Sequence, residues 1–350
     1  MAHHANDWYL SQILGEMRRL RAPSNPKTLG IVIREVQSKA AEAMLKSIKS
    51  SSRKMLSERR LYRRQFKKRL LERWKRPIDL LETLVGLCLE EGAEFNDEQR
   101  ETAARTEDYV FDVLTRLHAR SCQIAYEILS LLISGFADGA HARWRTLHEI
   151  VVIASFIREH GQDLAKRYLY YEAVETYKEA CAYQEHCQEL GYEPLSNEQL
   201  RVLKERRDEA FRIYGRDFGS SYGWVPRSFL RRRDFAEIEK HMKLDQLRPY
   251  YIMACHNVHS GPKAIEFRLG LLKSKAKGSV LLAGPSNYGL ADPGQCMAIS
   301  LAQTTICLLS TKPTIKRLIA MKVILRLVDE ICPAFCEIQS EIEREEKYLP

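Results

Sequence analysis

Glycine and proline are scarce in this 350-residue chain, at 17 and 12. So few turn formers leave little room for the many short strands and tight turns of a sandwich or barrel. No apolar run approaches the roughly eighteen residues of a membrane span, and no membrane partner is expected. The amino terminus lacks the basic-then-apolar layout of a signal peptide, so the expected location is the cytoplasm. The nine cysteines are an odd number without CxxC spacing, which argues against a secreted disulfide framework and for thiols in a reducing compartment. Neither Cys181 with His186-Cys187 nor Cys332 with Cys336 has the spacing of a zinc set, so no metal and no cofactor is expected. GxSxG, GxxxxGK[ST] and GxGxxG are also absent, which removes the usual serine-hydrolase, P-loop and dinucleotide-binding signatures.

What remains is rich in Leu, Ala, Glu, Arg and Lys, the residues that lose least on entering a helix. The expected fold is all-α, a multi-helix bundle with a long basic N-terminal helical arm. An opening helix around Asn6–Arg21 is followed by helix from about Lys27 to Arg76, closed by Pro77, and by a short helix Ile78–Glu90. Asn96-Asp97 is expected to cap a helix running to about Ile133. After the SGFADG connection comes a helix carrying Arg145 and Glu149, which would pack antiparallel to its predecessor. Tyrosine-rich helix then runs to Gly191, and Ser196-x-x-Gln199 resembles a capping box opening the next, to about Ile213. Residues 214–233 read as an ordered loop, and Leu244–His259 as helix. A Gly/Pro-rich loop, Gly278–Pro293, holds a strand-like piece at Val280–Ala283. Helices at about Gly294–Leu309 and Pro313–Glu345 finish the chain. The expected division is 1–91 for the N-terminal helices with the arm, and 92–350 for a helical core domain.

Three segments carry chemistry. In Gly139–Arg158 an otherwise apolar helix holds His141, Arg143, Arg145, His148 and Glu149, with Arg145 and Glu149 one turn apart. Charged groups held so near a core need partners, so they form a structural ion pair or line a site. The segment PYYIMACHNVHSGP places Tyr251, Cys255 and His259 down one helical face, with His256 beside them. Histidine suits proton transfer near neutral pH, and it also suits a helix end through the macrodipole alone. The third segment, Ser51–Arg76, is a cationic helix with Leu56, Tyr62, Phe66, Leu70 and Trp74 recurring mostly every four residues. With a net charge of +9, Arg59, Arg63, Arg64, Lys67 and Lys68 are candidates for gripping nucleic-acid phosphates. The apolar stripe fits packing on another subunit, and a homo-oligomer is expected.

Arg145-Thr146-Leu147-His148-Glu149 together with Tyr251–Cys255–His259 resembles the Arg-[ST]-Leu-x-Glu and Tyr-x-x-x-[SC]-x-x-x-His motifs of largely helical bacterial proteins catalogued as a domain of unknown function. The resemblance covers roughly Tyr109 to Leu309. It implies a helical fold in which Arg145, Glu149 and His259 converge. Arg143 and His148 have the spacing of the Arg-x(4–6)-His motif of HEPN ribonucleases, helical domains of toxin and antiviral systems.

Two readings follow. In one, the chain is a metal-independent RNA-cleaving effector of a bacterial defence or toxin system. His259 or His148 would then act as general acid and base, Arg145 would stabilise the charged phosphorane, and Glu149 would hold the arginine, with Tyr251, Cys255 and His256 around them. In the other, it is a non-catalytic helical module that binds nucleic acid (RNA in preference to DNA) or a protein, with Arg145–Glu149 a buried ion pair tying helices together and His259 a satisfied core residue.

Overall fold

A computed structural model of the chain describes Gly15 and residues 26–347, apart from 260, 267 and 273–280. The described residues contain helices and no strand, which meets the all-α expectation. The expected opening helix lies outside them except for the helical Gly15, and so does Val280 of the strand-like piece; Leu281–Ala283 form no strand. Two compact units divide between Lys68 and Arg69, ahead of the expected boundary at 91.

Helix α1, Pro26–Arg73, contains the basic arm. Its end is set by Trp74, which is fully buried and whose indole N–H donates to the main-chain and side-chain oxygens of Asn287 (3.2 and 3.0 Å). Pro77 does not close this helix but stands in the first turn of the next, α2, Lys75–Arg105. That is physically reasonable, because the first-turn N–H groups have no intrahelical acceptor to lose. Asn96-Asp97 does not cap a helix either. α2 runs straight through the pair, since Phe95 and Cys88 continue its buried stripe. The break comes at Thr106–Asp108, where Glu107 adopts a left-handed φ of 50° and Asp108 accepts from the Phe111 N–H at 2.9 Å. Capping chemistry loses to burial at the first position and wins at the second.

Helix α3, Tyr109–Leu132, turns at Gly135 (φ 80°) into α4, Ala137–His160, and the two pack as neighbours. Helix α5, Gln162–His186, follows from Gly161. Helix α6, Asn197–Tyr214, opens on the expected capping box: Ser196 Oγ accepts from Gln199 N, and Gln199 Oε1 from Ser196 N. The loop after it is ordered by Arg167, which donates to the Trp224 and Gly223 carbonyls, and by Asp217, paired with Arg227 and Arg233. Helix α7, Phe235–His241, is capped by Asp234. The next, α8, begins at Arg248 rather than near Leu244 and ends at Val258, because residues 245–247 form a 3-10 turn. Helix α9 is Ala291–Leu309 and α10 is Ile315–Lys347.

The second unit is organised around α9, which packs on α2, α3, α4 and α10. Met297, Leu301 and Leu309 are fully buried there. Burying each such side chain stabilises the fold by about 1.5–3 kcal/mol. Trp144 of α4 joins this core and donates to Ser300 Oγ at 2.9 Å. One close approach depends on glycine: a Cβ on Gly92 would fall 2.1 Å from the His118 ring, which fills the space between α2 and α3. With α4 fixed against this core, its remaining face is presented to α7 and α8.

Candidate functional site

Arg145 and Glu149 stand one turn apart on the face of α4 that meets α8, with Nε and Oε1 3.1 Å apart. The first turn of α8 brings Tyr251 between them. Its hydroxyl accepts from Arg145 Nε (3.0 Å) and donates to Glu149 Oε1 (2.5 Å), and the guanidinium also lies 5.2 Å from the phenol ring centre. The ion pair is about one-third exposed, at 27% and 30%, while Tyr251 is buried. Burial opposes the Arg145 charge, but Tyr251 and Glu149 outweigh it and hold its pKa above the ordinary value. Burial and the bond to Glu149 push the Tyr251 phenol well up. So the cluster is a guanidinium kept charged and a phenol kept protonated, tied to a carboxylate.

Tyr222 completes the cluster on its loop side, at a left-handed φ of 52° that a non-glycine residue seldom adopts. Burial and the Glu149 charge raise its phenol to about 12. Nothing in the periodicity of residues 214–233 singles it out. Tyr222 also lines a cavity of about 590 Å³ beginning one turn beyond Glu149, walled by Tyr168, Tyr171 and Trp224 and by Glu172, Glu175 and Glu179. Carboxylates around that opening repel polyanions.

The other sequence candidates separate. His148 points away from Arg145 into the core. Its Nε2 donates to Glu239 Oε1 (2.7 Å), and Glu239 also accepts from Arg248 (2.8 Å). His148 is 1% exposed and Glu239 fully buried, with the imidazole among Trp144, Phe235 and Tyr251. Glu239 escapes a sequence reading because α7 is too short to show a periodic face. Arg143, the residue paired with His148 by spacing, is held instead by Glu127 of α3 and by Thr146.

His259 does not join Arg145 and Glu149. It is the exposed C-cap residue of α8, eight residues past Tyr251 and so about 12 Å along the helix. Its side chain makes no hydrogen bond or ion pair among the described residues. The expected place of His259 beside the ion pair is taken by Tyr251, which the sequence put in the surroundings. Cys255, half-exposed, faces Arg145 one turn on, and His256 is half-buried without a polar partner among the described residues.

Residues 111–277 match a family of unknown function, DUF5677. The similarity takes in Arg145, Glu149, Tyr222, Glu239 and Tyr251, and so spans the whole cluster, but it leaves out α1 and the carboxyl-terminal helices. It begins close to the expected Tyr109 and ends short of Leu309. No curated protein and no solved structure matches the chain.

On α1, Arg59, Arg63, Arg64, Lys67 and Lys68 are all exposed. The first four have no ion pair or hydrogen bond among the described residues. At 100° per residue, Arg53, Arg60, Arg64 and Lys67 share one face, with Arg63 at its margin and Arg59 nearer the opposite face. The opposite face carries Met44, Ile48, Met55 and Tyr62, exposed by 38–62%. Phe66 is half-buried, while Leu70 and Trp74 are buried as the stripe predicts.

Proposed function

We propose that this protein is a non-catalytic helical module that binds RNA through the basic face of α1. The observation that carries the reading is the run from Arg53 to Lys68, eight Lys/Arg against the single acid Glu58, exposed along continuous helix. Side chains so placed can neutralise successive phosphates and release their counterions. Arg145, Glu149 and Tyr251 then serve as a tie between α4 and α8. The Met44–Tyr62 stripe is the surface on which a second copy packs.

The RNA-cleaving reading has less support in the geometry. Cleavage without a metal needs a proton carrier beside the stabilising cation. Tyr251, held protonated, is a poor base, His148 is enclosed, and His259 stands at the far end of α8. The likeness to HEPN ribonucleases rests on Arg143 and His148, which different neighbours hold.

The test is fluorescence anisotropy of a labelled single-stranded RNA over a salt series, with a gel of the same RNA incubated with EDTA. Binding through four phosphates gives a slope of about −3 in log affinity against log salt. Replacing Arg53, Arg60, Arg64 and Lys67 by Ala should remove most of that slope while the RNA stays intact. Unchanged binding in this variant defeats the proposal; RNA cleavage in EDTA restores the enzymatic reading.

A further inference from the structure

Helix α4 ends in Glu159-His160, and the last residue of α7 is His241. One ligand atom from each of these three side chains lies within 4.8 Å of the other two. His241 Nε2 and Glu159 Oε1 are 3.8 Å apart. The His160 ring is clamped by aromatic neighbours: Phe229 stacks on it at 4.3 Å and Phe156 meets it edge-on at 4.4 Å. Phe156 also meets the His241 ring, at 5.6 Å. The clamp fixes the imidazole, yet its Nε2 is buried and has no hydrogen-bond partner among the described residues. A buried ring nitrogen held in place without a partner costs stability unless something occupies it.

We propose that Glu159, His160 and His241 form a binding site for a divalent transition metal, zinc by preference. Two imidazole nitrogens and one carboxylate oxygen are a ligand set for Zn²⁺, with water in the fourth position. Tetrahedral ligands at about 2.0–2.2 Å from the metal are some 3.5 Å from one another, so the present spacing closes by rotation of the side chains. The site lies at the carboxyl end of α4, where the helix dipole favours a cation. Glu159 and His241 are 53% and 33% exposed, which leaves a solvent path to the metal, while the clamped His160 ring lies deeper. Binding joins the ends of α4 and α7. The sequence hides this set, because the Glu-His pair and the single histidine lie far apart along it and neither has a recognisable metal spacing.

Titrating the full chain with Co²⁺ tests the site. We expect one equivalent bound with the visible absorption of a tetrahedral ion, its displacement by Zn²⁺, and a raised melting temperature that a chelator reverses. His241→Ala should weaken binding at least about tenfold. Glu159→Gln, at an exposed position that folding tolerates, should weaken it as well and guards against a misfolded histidine variant. No saturable Co²⁺ or Zn²⁺ binding overturns the proposal. So does binding that both variants retain, which assigns the metal to other histidines or to the cysteine thiols.

Discussion

The cationic face of α1 and the polar cluster between α4, α7 and α8 use the same residue types to opposite ends. Along α1, arginines and lysines project into water with few acids near them. In the cluster each cation is matched: Arg145 with Glu149 and Tyr251, and Arg248 with Glu239, to which His148 is also hydrogen-bonded. The cost of desolvating a charge accounts for the difference. Where α7 and α8 meet α4, the charged side chains of the cluster stand against opposite charges. At Arg59, Arg63, Arg64 and Lys67 of α1, water does the pairing, and the charges stay available to a polyanion. Abundant arginine and histidine are thus poor markers of a site until it is known which have already been satisfied from within.

The comparison is broken most severely at Glu239. Glu239→Ala leaves His148 and Arg248 facing each other without their shared acceptor, inside a packed aromatic surround. The expected loss is about 3–5 kcal/mol in denaturant unfolding. A loss below about 1 kcal/mol would mean that water reaches this cluster and that it resembles α1 more than the core.

Acid acts on the core through its buried histidines. Burial drives His118 and His141 down to about 4, from an ordinary 6.5. Between those values the unfolded chain binds protons that the folded chain refuses, so stability is fully present above about pH 6.5 and falls as the pH drops towards 4. Each histidine contributes up to roughly 3 kcal/mol to that fall. His118→Gln should flatten the melting-temperature profile between pH 4.5 and 6.5. An unaltered profile would assign the acid sensitivity to other groups.

The tie between α4 and α8 is intermediate in exposure and should be intermediate in effect. Arg145→Ala and Tyr251→Phe should each cost about 1–2 kcal/mol, since solvent compensates part of a loss at a pair this open. In a double-mutant cycle the two should be strongly non-additive, because they share one network. Additive losses would mean that the two side chains act separately, against the bridged geometry.

How far the sequence is legible depends on the element. Helix type is legible almost throughout because periodic Leu, Ile and Val leave few alternatives, and the Ser196–Gln199 cap reads correctly because its chemistry is local. Boundaries set by tertiary contacts are not legible: Trp74 ends α1 through Asn287, and Phe95 carries α2 past a good capping pair. At the site, Arg145–Glu149 is visible as an i,i+4 pair and Tyr251 as a neighbour. Glu239 and Tyr222 reach the cluster from a short helix and a loop, where no periodicity points.

His259 sharpens the comparison at the smallest scale, because the sequence places it with the cluster and the structure gives it the surroundings of α1. As an exposed C-cap without a polar partner among the described residues, it has only the helix dipole to interact with, and only when protonated. His259→Ala should therefore change stability by no more than about 0.5 kcal/mol and leave RNA affinity within twofold. The same substitution discriminates between the functional readings, since a proton carrier would be lost outright. Abolished RNA cleavage with an unmoved melting curve would require α8 to shift when substrate binds and would return His259 to the side of Arg145. Unfolding as severe as that of Glu239→Ala would instead place the imidazole in a packed contact. A silent substitution leaves His259 with the exposed residues, and leaves Tyr251 as the side chain that links α8 to the Arg145–Glu149 pair.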